Sequence, residues 1–262
     1  MNYAVIDFET TGNQPGDEII QIGLVRIEDN RITDRFASFV KPRRAELPEF
    51  IRQLTGIDES MLADAPDLED VMPRVLPYLH DAVLVAHQAS FDLAFLQRGL
   101  DQCGYSPFDG PVLDTLDFLR IVYPGLSTLQ LSMVSQSFEL EHDQPHRADS
   151  DAEAAARIFL QCLEKLQRLP LLTLQRLTDL FAGGPPQLQD MAWFFQELLQ
   201  RKQMQSPLDE DQHRYFRQFT LRVDDWTDEA PPRGEGEADA LDPDFDAFYE
   251  DQIGSASCRE RV

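Results

Sequence analysis

The segment Val5-Ile6-Asp7-Phe8-Glu9-Thr10-Thr11-Gly12 puts two acids and a tight turn at the end of an apolar run. Tyr3 to Ile6 reads as a buried stretch of strand, and residues 2–9 as the whole element. Strand side chains alternate between faces, so Asp7 and Glu9 share one face, one pleat apart. Side by side they repel each other and lose hydration, a cost that a divalent cation removes by coordinating both. The other reading of the same residues is a strand end that meets solvent, with both acids simply hydrated. Which reading holds depends on what the rest of the chain brings to this pair.

Glu18 to Ile27 alternates as a second strand, and Asp29-Asn30 offers turn chemistry before a third, Arg31 to Val40. A small basic loop, Lys41-Pro42-Arg43-Arg44, leads to a helical stretch from Pro48 to Leu54 that stops at Gly56. Asp67 can cap the next predicted helix, with Leu68, Val71, Met72, Val75, Leu76 and Leu79 on its apolar face; Pro73 and Pro77 are expected to kink or shorten it. Ala82 to Ala86 is uniformly apolar, as suits a central strand covered on both faces. It runs into His87-Gln88-Ala89-Ser90, where Ser90 is expected to cap a helix carrying Phe91, Phe95, Leu96 and Leu100. Val112-Leu113 predicts a short fifth strand, Thr115 to Val122 and Ser127 to Phe138 predict helices, and Ser150 is expected to cap an amphipathic helix running to Leu166. A three-stranded meander followed by alternating helices and strands spells an α/β domain: a mixed five-stranded sheet with helices on both faces.

After Leu169-Pro170 the pattern turns wholly helical, with Leu171 to Phe181 and Leu188 to Gln203 amphipathic around Gly183-Gly184-Pro185-Pro186. The expected organisation is therefore a catalytic-sized domain over 1–168, a helical connector over 169–222, and a tail over 223–262. Val223 to Asp251 holds twelve acids against the single Arg233, together with a cluster of prolines and glycines. It is expected to be disordered, a linker in the first instance, although Trp226, Phe245, Phe248 and Tyr249 also suit a peptide that docks on a protein partner. The last ten residues, Ile253 to Val262, change composition abruptly and are left out of the fold reasoning as an appended remnant.

The formal net charge is −24, with 47 acids against 23 Lys and Arg. A protein that holds nucleic acid by bulk electrostatics is usually basic, so any nucleic-acid chemistry here must be confined to a site whose field is reversed by cations. Three widely spaced cysteines without a ligand pattern point to a reducing, cytoplasmic setting, and no leader or bilayer-length apolar run is evident.

Two further acids stand where they can join the first pair. Asp92 lies in the first turn of the helix after a buried strand, and Asp151 near the start of the long helix. Capping and helix-dipole complementation alone would account for each. Converging on Asp7 and Glu9, however, they complete a four-carboxylate oxygen set for a pair of hard cations roughly 4 Å apart, an arrangement that serves phosphoryl hydrolysis. His146, five residues before Asp151 in the polar loop Glu139 to Ala148, is placed to take a proton from an attacking water. His80, His87, His142 and His213 have no such company in the sequence, though His87 directly precedes the second acidic segment.

Residues 5–12, then His87-Gln88-Ala89-Ser90-Phe91-Asp92, then His146-Arg147-Ala148-Asp149-Ser150-Asp151-Ala152 resemble, in order and spacing, the three motifs of the DEDDh, or DnaQ-like, 3′–5′ exonucleases. Leu54-Thr55-Gly56-Ile57 resembles the substrate-contacting segment between the first two motifs. The resemblance spans residues 1 to about 168 and implies an RNase H-like fold. It also implies two divalent cations, Mg²⁺ or Mn²⁺, on Asp7, Glu9, Asp92 and Asp151, with His146 as general base. The 3′ end of a single-stranded or frayed nucleic acid, DNA before RNA, is expected against the backbone of Thr10, Thr11 and Gly12, with Phe8, Leu54, Thr55, Gly56, His87, Gln88 and Phe91 as further contacts. One position departs: the family usually has Asn where this chain has Gln88, and the extra methylene leaves reduced activity open.

Residues 169–222 resemble, more weakly, the connector after the exonuclease region of bacterial DinG-type repair helicases. The only lysines, Lys41, Lys165 and Lys202, make no Gly-Lys-Ser/Thr phosphate loop, so a helicase core is not expected within these residues. Alternative readings are a polymerase proofreading subunit, an RNA-trimming enzyme, or a catalytically weakened module that binds nucleic-acid ends or a partner.

Overall fold

The computed structural model describes residues 1–14, 16–43, 47–140, 142 and 144–205, together with the backbone of 213–216 and 219–222. Five strands form one mixed sheet: β1 (Asn2–Thr10), β2 (Ile19–Glu28), β3 (Arg31–Phe39), β4 (Ala82–Ala86) and β5 (Val112–Asp114), in the order β3-β2-β1-β4-β5. The meander β1-β2-β3 is antiparallel, while β4 and β5 continue parallel from β1. The predicted mixed sheet is what forms, and β1 lies at its centre.

Period-two alternation along β1 divides the interior into two cores. Tyr3 and Val5 face one side, with Val25, Ile27, Val83 and Val85 of the neighbouring strands. Ala4, Ile6 and Phe8 face the other, with Ile22, Leu24, Leu84 and Ala86. The second side is covered by α3 (Leu68–Leu79) and α4 (Ala89–Gln102), which follow two short helices, α1 (Glu49–Thr55) and α2 (Glu59–Ala63). The first is covered by α5 (Thr115–Val122), α6 (Leu131–Ser137) and above all α7 (Ala148–Arg168).

Four local expectations need correction. Helix α3 runs through Pro73 and Pro77 without being cut short. Leu68, Val71, Met72, Val75 and Leu79 are all buried, and at about 1.5–3 kcal/mol each their burial outweighs the roughly 3 kcal/mol that an interior proline costs. Ser90 does not cap α4: the Ncap is Gln88, in the left-handed region at φ 71°. Nor does Ser150 cap α7, which starts after Arg147. Finally, α2 was not anticipated, although Asp58 caps it by accepting the Met61 amide.

The helices α8 (Leu171–Ala182) and α9 (Gln189–Gln205) are not set apart from the sheet as the connector reading expects. Phe194 and Phe195 of α9 are fully buried in the α7 core. Phe194 packs edge-on to Phe118 at 5.0 Å, and Phe118 in turn to Phe159 at 5.2 Å. Asp190 accepts the amide of Val112 at 3.0 Å, tying α9 to the edge strand β5. The compact unit accordingly runs from Met1 to Gln205. In the second unit, His213–Phe216 and Phe219–Arg222 pair as an antiparallel hairpin, where the sequence suggested only helix. Aromatic residues near its tip account for the strand preference. The acidic stretch from Val223, with its aromatic residues, and the final ten residues lie outside the described residues.

Because α9 shares a core with α7, Phe194→Ala is expected to destabilise the whole unit by about 3–5 kcal/mol, with one cooperative unfolding transition. Chemical denaturation followed by circular dichroism checks this. An unchanged main transition would mean that α8 and α9 form a separate unit.

Candidate active site

The carboxyl end of β1 gathers the acids. Asp7 and Glu9 sit on the α7 face, in line with Tyr3 and Val5, and Asp151 enters from the first turn of α7. Oxygens of Asp7, Glu9 and Asp151 lie within 4.8 Å of one another. Asp92 arrives from the first turn of α4 and accepts the backbone amide of Phe8 at 3.0 Å. All four predicted acids are thus brought to one strand end, three of them as a tight cluster.

What lets α7 come so close is a glycine. Gly23 of β2 pairs opposite Asp7, and a Cβ there would lie 1.9 Å from the Ala148 carbonyl oxygen. Any side chain at 23 would push the start of α7, and Asp151 with it, away from β1. Gln21, paired opposite Glu9 and 2 % exposed, fixes the same helix start. Its Oε1 accepts the Arg147 Nε–H and the Ala148 amide, and its Nε2 donates to Asp149. On the other side, the Asp114 carboxylate accepts the amides of Gln88, Ala89 and Leu116, holding the turn from which α4 and Asp92 start. None of these three was singled out from the sequence. Only Asp114, an acid directly before a predicted helix, carried a local signal for its role.

The electrostatics are those of an uncompensated cluster. Burial first, then the charges of Asp92, Asp151 and Glu9, hold the Asp7 carboxyl well above the usual carboxylate range. Burial and Asp151 push Glu9 up to about 7, against the opposing charge of Arg147. Asp92 is raised by burial despite the Phe8 amide, and Asp151 is raised by burial despite a hydrogen bond from His142. An all-oxygen donor set under such mutual repulsion fits hard divalent cations.

The histidines differ from expectation. The His146 side chain is exposed, and its backbone, at φ 65°, donates its amide to Asp151 Oδ2 at 3.1 Å. It is His142, passed over in the sequence, whose ring touches the cluster: Nε2 lies 2.5 Å from Asp151 Oδ1. His87, expected on the substrate, has both ring nitrogens engaged internally, with Thr115 Oγ1 at 2.7 Å and the Leu129 carbonyl at 2.8 Å. Burial lowers its pKa.

Of the remaining expected substrate contacts, Phe8 is core and Phe91 packs at 4.9 Å on Phe95. The Thr10 hydroxyl donates to the Gly12 carbonyl, and that of Thr11 to Asp17, which lies directly beneath Gly12. These bonds shape the turn and leave its backbone as the surface beside the acids. Thr55 is buried on its own helix, with Gly56 closing α1 at φ 67°, while Leu54 and Gln88 are exposed.

Ionisation of Glu9 sets a pH dependence for the metal-free protein. Its folded pKa is raised, so its contribution to stability is complete below about 4.5 and is lost as pH rises through about 7. Melting temperature in chelator should therefore fall across that window, and a divalent cation should remove most of the fall. An equal slope with and without cation would contradict the metal reading.

Comparison with known proteins agrees with this geometry. A family model described as exonuclease, of RNase T type, matches residues 4–159. The chain is 47 % identical over 180 residues to the 3′-5′ exonuclease DinG of Bacillus subtilis (strain 168), covering 68 % of this chain and 19 % of that protein. It is 44 % identical over 168 residues to a PolC-type DNA polymerase III of Caldanaerobacter subterraneus, covering 64 % and 12 %. The chain thus spans less than a fifth of the length of these relatives. Among solved structures, the fold resembles Escherichia coli exonuclease I in complex with a dT13 oligonucleotide (TM-score 0.58, 18 % identity, 64 % of this chain and 42 % of that one). It also resembles the nuclease domain of 3′hExo, a DEDDh family member, bound to rAMP (TM-score 0.55, 23 % identity, 62 % and 92 %). With its sheet order, its converging acids and a match over more than half its length, the chain belongs to the exonuclease family.

Proposed function

We propose that this domain removes nucleotides from the 3′ end of DNA, using a pair of Mg²⁺ or Mn²⁺ ions, in the setting of a DinG-type repair protein. The observation that carries the reading is the mutual approach of Asp7, Glu9 and Asp151 within 4.8 Å, with Asp92 bound to the same strand end. These four residues would hold the cations, which when bound supply charge stabilisation to the attacking and leaving oxygens of phosphodiester hydrolysis. The backbone of the Thr10–Gly12 turn and the exposed Leu54 would seat the terminal nucleotide. His146 would take the proton from the attacking water. The water oxygen bonds to phosphorus, the bond to the preceding O3′ breaks, that oxygen takes a proton from solvent to become the new 3′-hydroxyl, and a 5′-mononucleotide leaves. DNA is favoured over RNA by the similarity to the PolC-type polymerase, which is a DNA polymerase by name.

A weakened binding module is the second reading, and Gln88 is its motive: Asn tolerates the left-handed region at this position better than Gln does. Against it, the Gln88 side chain is exposed, and the bond that anchors its turn runs from its backbone amide to Asp114. The exchange therefore leaves the support of Asp92 in place.

A time course on 5′-labelled single-stranded and 3′-recessed DNA, and on the matching RNA, tests the proposal. A ladder shortening from the 3′ end is expected with Mg²⁺ or Mn²⁺ and not with EDTA, stronger on DNA. Asp7→Ala should abolish it, and His146→Ala should lower kcat by about 10²–10⁴-fold. Full turnover in Asp7→Ala would overturn the assignment, and metal-dependent thermal stabilisation without turnover would favour the binding module.

A further inference from the structure

The His142 side chain is only 6 % exposed, yet among the described residues its ring makes a single polar contact, the 2.5 Å bond from Nε2 to Asp151 Oδ1. Its other ring nitrogen, Nδ1, is buried with no hydrogen-bond partner among the described residues. Packing does not explain an imidazole here. An apolar side chain of similar volume would fill the same space without burying an unpaired polar atom, which costs about 1–3 kcal/mol. What an apolar side chain cannot do is grip Asp151.

Among the described residues, the two oxygens of Asp151 take one hydrogen bond each from the segment before α7: Oδ1 from His142 Nε2 and Oδ2 from the His146 amide. An ionised carboxylate offers about four acceptor directions, so two remain for cations. With both oxygens fixed, the carboxylate cannot rotate about its Cβ–Cγ bond without breaking a bond. The same pair of contacts ties His142 and His146 to the first turn of α7, which sets where the His146 ring begins.

We propose that His142 is a positioning residue: it holds the Asp151 carboxylate in the orientation that binds a divalent cation. The proposal rests on Asp151 being a metal ligand. An ionised Asp151 carboxylate only accepts, so Nε2 carries the hydrogen of this bond. Partners that orient a ligating carboxylate typically change metal affinity by about 10–100-fold when removed.

Titration calorimetry of Mn²⁺ into the metal-free full chain tests it, with wild type, His142→Leu, His142→Ala, His142→Gln and Asp151→Asn compared. Either His142→Leu or His142→Ala, whichever folds by its melting transition in chelator, should bind Mn²⁺ about 10–100-fold more weakly. His142→Gln, which keeps a side-chain N–H donor, should recover much of the loss. Mn²⁺ binding within about twofold of wild type in the apolar variants, or tighter than wild type, would overturn the proposal, tighter binding meaning that His142 competes with the cation. Failure of the underlying reading looks different: Asp151→Asn would then bind as tightly as wild type, or wild type would not bind Mn²⁺ at all.

Discussion

Two carboxylates one pleat apart at the end of a central strand repel each other, and the architecture around β1 is arranged to increase that repulsion. Asp7 and Glu9 share the α7 face, and α7 delivers Asp151 against them. Asp92 and Asp151 are buried and Asp7 and Glu9 only partly exposed, so the charges meet where hydration is restricted. An isolated arrangement of this kind is unfavourable. It becomes favourable once divalent cations occupy it, and this links the stability of the fold to its chemistry. The raised pKa values of Asp7, Glu9, Asp92 and Asp151 express that linkage in the absence of the cations.

Holding helices against mutually repelling charges takes specific supports. The bare backbone at Gly23 admits the start of α7, and Gln21 pins it from below with three hydrogen bonds. Asp114 does the equivalent for α4 through three amides. Each of these residues stands one step behind an acid rather than in the cluster. A domain can therefore keep all four acids and still lose its site if these positions change. The aromatic packing of Phe118, Phe159 and Phe194 gives α7 its rear support and joins α9 to the same rigid body.

Much of this was legible in the sequence, for physical reasons. The alternation of β1 fixed which face Asp7 and Glu9 take, and the first-turn positions of Asp92 and Asp151 put both acids at helix starts beside strand ends. What was not legible depends on pairing across long separations. Gly23 looks like any strand glycine until the register sets it opposite Asp7 and beneath Ala148. His142 lies in a polar segment, where no periodicity says which way a ring points, whereas the spacing to Asp151 draws attention to His146 instead. The amphipathic faces of α8 and α9 announce burial without saying against what, so the sequence alone suits a connector as well as part of the core.

The central claim, that the acids at the end of β1 form a divalent-cation site, is most directly tested by anomalous scattering from a crystal soaked in Mn²⁺. The account predicts anomalous peaks among the carboxylates of Asp7, Glu9, Asp92 and Asp151. Crystals saturated with Mn²⁺ that show no peak there, or peaks only at other surface acids, would contradict it.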